Sequence, residues 1–112
     1  MLNNKTKNRT ITNKVKYCKN FVTKGFGLMF KGKNFNPYIF IFNKEKIIPL
    51  HMWFVFFPID VLFLDKDKKV VEIVEGLKSF GFYKPKKKAK YIIELRVGSV
   101  KDNFDIGDVV EF

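Results

Sequence analysis

Apolar residues in this chain gather into short dense runs broken by lysine, glycine and proline, and no long stretch repeats at the helical spacing. Runs of that length, rich in β-branched and aromatic residues, predict strands. Tyr38-Ile39-Phe40-Ile41-Phe42 reads as a strand buried on both faces. Ile59 to Leu64 and Val70 to Val74 flank the polar connector Asp65 to Lys69, the arrangement expected of a β-hairpin. Pro58 lacks a backbone donor and divides the apolar stretch ahead of this hairpin into two strands or marks a bulge. Tyr91 to Val97 gives a further strand ended by Gly98, and Val109 to Phe112 a last one docked on the core.

The remaining segments are more polar. Residues 1–9 read as a flexible basic lead-in to one domain over 10–112. Ile11 to Cys18, with Lys between its apolar positions, predicts an exposed edge strand. Gly76 to Lys90 reads as an exposed loop. A short helix or turn is expected at Asn20 to Phe26, and one helical turn at Ser99 to Phe104 with Ser99 as its cap. The fold class is mainly β: a compact mixed β-barrel or sandwich with one or two short helices.

Composition narrows the setting. One cysteine, Cys18, excludes an intrachain disulfide and a thiolate metal cluster, and a reducing compartment is the simpler assumption. The start of the chain shows no apolar secretory region, and Asp60 breaks the longest apolar stretch well short of the ~20 residues that cross a bilayer. The expectation is a soluble cytoplasmic protein, monomeric with a dimer as the alternative. No sequence motif calls for a cofactor or a metal.

The net charge of +11 is uneven: residues 1–46 carry eleven Lys or Arg against Glu45 alone, and residues 47–112 eleven against ten acids. A positive field of this kind steers acidic partners or nucleic acid. The lysines offered to such a partner are Lys14, Lys16, Lys19, Lys24, Lys31 and Lys33, with Lys84, Lys86, Lys87, Lys88 and Lys90 in the later loop. Only Arg9 and Arg96 have the rigid fork suited to bidentate contacts, so a solvated surface is the competing reading.

Asp60 is the sharpest local feature, a carboxylate inside an apolar run. A buried charge must find partners or neutralise, so Asp60 is a structural anchor or a functional group. Its carboxylate could accept backbone donors near Pro58 or the Gly27 turn, or bind a cation or polar ligand. His51 enters the same block, but one histidine defines neither a metal site nor a triad. Glu94 and Arg96 lie two apart on a strand and share a face. With His51, Asp60 and Glu72 they form a candidate pocket rim or a structural polar cluster. Gly25, Gly27 and Gly32 lack the Gly-Lys-Ser/Thr ending of a phosphate-binding loop, so Gly27 reads as backbone freedom beside Leu28 and Met29.

Taken in order, Gly27-Leu28-Met29-Phe30, the aromatic strand Tyr38 to Phe42, the block His51 to Asp65 with Pro58-Ile59-Asp60, Glu94-Leu95 with Gly98, and Gly107-Asp108 before Phe112 resemble the DUF192 family, also called UPF0127, in its archaeal form. The resemblance runs from about Cys18 to Phe112. That family commonly has Phe-Trp-Met-Lys-Asn-Thr ahead of an Ile-Pro-Leu-Asp strand; here the region reads His51-Met52-Trp53-Phe54-Val55-Phe56 and then Phe57-Pro58-Ile59-Asp60, without the polar Lys-Asn pair. It implies a compact, predominantly β fold with short helical insertions and supplies no established reaction.

Three functions remain open on the sequence. The leading one is a noncatalytic module binding a small molecule or a protein near Gly27-Leu28-Met29, His51 and Asp60. The alternatives are a nucleic-acid-associated protein using the lysine-rich surface and an enzyme centred on Asp60.

Overall fold

The computed structural model describes residues 1–18, 35–51, 57–78 and 81–112. Its framework is an open five-stranded sheet in the order β3-β4-β9-β6-β7, made of β3 (Lys16–Cys18), β4 (Tyr38–Lys46), β9 (Ala89–Arg96), β6 (Ile59–Leu64) and β7 (Val70–Leu77). β3 runs parallel to β4, and the other neighbours are antiparallel. A three-stranded sheet, β10-β1-β2, joins β1 (Leu2–Asn4), β2 (Arg9–Thr12) and β10 (Val110–Glu111). β5 (Leu50–His51) pairs with β8 (Phe82–Tyr83) as a separate ribbon.

Every residue of β6 is buried, because the sheet is covered on both faces. Side chains alternate along a strand. Ile59, Val61 and Phe63 therefore enter one core with Phe40, Phe42, Leu77 and Ile92, while Leu62 and Leu64 enter another with Leu2, Ile39, Ile93, Phe104 and Val110. The first core is closed by Phe35, Ile48, Leu50 and Tyr83, and the second by residues of the three-stranded sheet.

The expected hairpin is β6-β7. Its connector is held by Asp65, whose backbone pairs with Lys69 and whose Oδ1 accepts the amides of Asp67 and Lys69 at 2.9 and 3.0 Å. Lys68 adopts the left-handed conformation (φ 61°) and lays its ammonium 4.0 Å above the Phe112 ring, a cation–π contact. The C-terminal residues are thereby tied to the hairpin, which accounts for the apolar pattern running to residue 112.

Three expectations are corrected. Residues 2–4 of the expected lead-in form β1, which pairs with both β10 and β2, and Leu2 is fully buried. Ile11 to Cys18 is two elements, since the chain leaves β2 after Thr12 and joins another sheet at Lys16. The region 99–104 is a turn. The amides of Asn103 and Phe104 both reach the Val100 carbonyl, and Asp102 at φ 66° departs from the helical path. Among the described residues there is no helix, and the helix or turn expected at Asn20 to Phe26 lies outside them.

Asn4 locks the two ends of the chain together. It is fully buried, and its Nδ2 donates to the Asn103 carbonyl and to Asp108 Oδ2, both at 2.7 Å. Asp108 also accepts the Asp105 amide at 2.9 Å and lies 3.5 Å from the Lys7 ammonium. Burial pushes the Asp108 carboxyl up, but the Asn4 and Asp105 hydrogen bonds and the Lys7 charge outweigh it and leave the value below 3.8. Its contribution is present above the unfolded-state value and is lost as pH falls through the folded one. Urea midpoints measured from about pH 5 down to about pH 2 should therefore fall more for the wild type than for Asp108→Asn. Parallel curves would remove Asp108 from the acid response.

Candidate functional site

Regular alternation points Asp60 to the same face as Leu62, toward the second core, where it is fully buried. Three backbone amides meet it there. Oδ1 accepts from Gly76 at 2.9 Å, and Oδ2 from Gly98 at 2.9 Å and Val100 at 3.1 Å. Gly76 and Gly98 stand at φ 67° and 90°, a conformation that side-chain-bearing residues seldom adopt, and this turns their amides to the carboxylate. Asp60 thus fastens the end of β7 and the turn after β9 to β6. It also serves the turn at 99–104 in the role expected of Ser99.

Glu72, Glu94 and Arg96 do not converge on it. Glu72 is paired in register with Phe63, whose side chain enters the first core on the opposite face. One Glu72 oxygen accepts the Tyr83 hydroxyl, and the other accepts the amides of Lys86 and Lys87 at 2.9 and 3.0 Å. The Glu72 hydrogen bond, with burial and its negative charge, pushes the Tyr83 hydroxyl up to about 12. Glu72 is therefore the anchor of the lysine-rich loop.

Glu94 is buried on β9, paired in register with Tyr38 on β4 and Val61 on β6. Burial raises the Tyr38 hydroxyl above its usual range, and the nearby charges of Cys18 and Glu94 add to the effect. Arg96 ends β9, and its Nε donates to the Phe35 carbonyl at 2.7 Å. The backbone of His51 pairs with Phe82. Gly27, Leu28, Met29, Lys19, Lys24, Lys31 and Lys33 lie outside the described residues.

Among the described residues, two adjoining clefts lie where the chain passes from β2 to β3 and enters β4. A cleft of about 500 Å³ is lined by Asn13, Lys14, Val15, Lys16, Phe35, Asn36 and Tyr38. A smaller one of about 190 Å³ is lined by Ile11, Thr12, Asn36, Pro37, Leu95, Arg96 and Ser99. Asn36 belongs to both. Lys14, Lys16 and Arg96 had been singled out in the sequence. Thr12, Asn36 and Phe35 had not, and Ser99 had been read only as a cap, because single small polar or aromatic residues carry no distinctive pattern.

The candidate lysines among the described residues fall at two separate places. Lys14 and Lys16 flank the cleft beside edge strand β3, whereas the loop carrying Lys84, Lys86, Lys87 and Lys88 is fastened through Glu72 to β7 at the opposite edge. Lys90 is half-buried, with its ammonium 5.6 Å above the Tyr91 ring. Among the described residues no three His, Cys, Asp or Glu side chains come together as a metal-binding group, and no helix is long and apolar enough to cross a membrane.

The sequence profile of the DUF192 family, described as "Uncharacterized ACR, COG1430", matches residues 2–112. A UPF0127 protein of Thermococcus sibiricus is 37% identical over 115 residues, covering 100% of this chain and 74% of the relative. The UPF0127 protein PYRAB11210 of Pyrococcus abyssi is 37% identical over 112 residues, covering 97% and 94%. Among solved structures, a Sinorhizobium meliloti protein titled a "putative transcription regulator" superposes with a TM-score of 0.79 at 22% identity, over 87% of this chain and 79% of that one. At that identity the likeness concerns the fold.

Proposed function

The chain belongs to the DUF192 family, and from that premise we propose that it is a noncatalytic binding module whose ligand, a small molecule or a short segment of a partner protein, sits in the cleft of about 500 Å³ beside β3 and β4. That cleft carries the reading. Its volume is in the range that holds small molecules, and it joins aromatic residues to a few polar groups, the usual makeup of such sites. An enzyme centred on Asp60 has less support, since its carboxylate is buried and already accepts three amides. The module acts in the cytoplasm as a monomer, in keeping with its single cysteine.

Screening small organic fragments by amide NMR should move the Val15, Lys16 and Asn36 signals together. Lys16→Glu should weaken binding of acidic hits by about tenfold, a change near 1.4 kcal/mol. A screen whose hits leave these signals unmoved would remove the cleft as the site.

A second reading, nucleic-acid association, draws on the same lysines. It requires affinity to fall steeply with salt as counterions are released, whereas cleft ligands should respond much less. The placement of the described candidate lysines at opposite edges of the sheet, rather than on one face, favours the cleft.

A further inference from the structure

We propose that the smaller cleft, about 190 Å³ beside the main one, is an oxyanion subsite that takes the carboxylate or phosphate group of a small acidic ligand whose body lies in the main cleft. The inference rests on the ligand-binding reading above and adds the chemical class of the ligand. Besides Asn36, three of the residues lining this cleft bring polar hydrogens, Arg96, Thr12 and Ser99. Arg96 is held at Nε by the Phe35 carbonyl, 2.7 Å away, and among the described residues no carboxylate lies within salt-bridge range of it. The two terminal nitrogens of its fork are what a carboxylate or phosphate engages.

Thr12 accepts the Lys14 amide through Oγ1 at 3.1 Å, so the hydroxyl proton is the group it has left to offer. Ser99 has its amide on the Arg96 carbonyl and its own carbonyl on Asn103 Nδ2 at 2.8 Å, which leaves the hydroxyl for the cleft. No Asp or Glu lines either cleft, and Lys14 and Lys16 extend the positive field along the main one. Asn36, shared by the two, marks where the acidic group would join the body of the ligand. Asp60 acts here as a positioning residue, because the amides it fixes, Gly98 and Val100, flank Ser99.

The test is amide and arginine Nε NMR on the full chain at constant ionic strength. Inorganic phosphate and acetate are titrated separately, with chloride as the reference anion and indole as an uncharged probe of the main cleft. Phosphate or acetate should shift Thr12, Ser99 and Arg96 Nε with saturation, and the stronger of the two identifies the source of the oxyanion. Arg96→Gln and Ser99→Ala, each with wild-type dispersion of the remaining signals, should weaken that anion by about tenfold and about threefold. Indole shifting Val15 and Lys16 while both anions behave as chloride does would overturn the subsite and leave the binding module standing. Saturable anion shifts without any response to indole would keep the subsite and remove the main cleft, and silence from every probe would overturn both.

Discussion

Asp60→Ala should cost about 3–5 kcal/mol of folding free energy, measured as a lower urea midpoint with an unchanged slope. Alanine leaves the amides of Gly76, Gly98 and Val100 without the acceptor that a fully buried side chain supplies. Each orphaned donor costs about 1–3 kcal/mol. Against a total stability of about 5–15 kcal/mol for a domain, the loss is a large share. Asp60→Asn should cost less, because its remaining carbonyl oxygen can still serve Gly98 and Val100 while its NH2 faces the Gly76 amide. A loss under about 1 kcal/mol for the alanine variant would mean that these amides find other partners, and the anchoring role would fall.

The second large effect is expected at Phe63→Ala, about 3–5 kcal/mol. Phe63 is fully buried in interior strand β6, and its ring centre stands 5.9 Å from that of Tyr83. Tyr83 in turn bonds Glu72, which holds the amides of Lys86 and Lys87. The cavity should therefore be felt in the lysine-rich loop as well as in the core. Hydrogen exchange at Lys86 and Lys87 should accelerate beyond what the global loss explains, whereas Phe63→Leu, which keeps most of the volume, should leave it near the wild-type rate. Equal acceleration at all amides would show that Phe63 supports the core alone.

What could be read from the chain alone follows from how far apart interacting residues lie. The β6-β7 hairpin was legible because both strands and the polar connector sit within one window. The carboxylate at Asp60 was legible as an anomaly, but its donors lie 16, 38 and 40 residues away, so nothing nearby announced them. Leu2 and Asn4 were read as part of a flexible basic lead-in because one apolar residue among polar ones has no periodicity. Their burial is conferred by β10 and by Asp108, at the far end of the sequence. The polar candidates were grouped by residue type and expected strand, whereas the register sends Asp60 to one face and Glu72 and Glu94 to the other. Thr12 and Ser99 meet at the small cleft only after two separate sheets have formed.

The pairing of Asn3 with Glu111 also orders events during synthesis. β1 emerges from the ribosome well before β10, one of its two neighbours. Until residues 110 and 111 appear, one margin of β1 presents unsatisfied amides and carbonyls to the cell, the kind of exposure that invites intermolecular pairing. Completion of the small sheet therefore waits on the synthesis of Val110 and Glu111, and a nascent chain stalled shortly before Val110 carries that open margin.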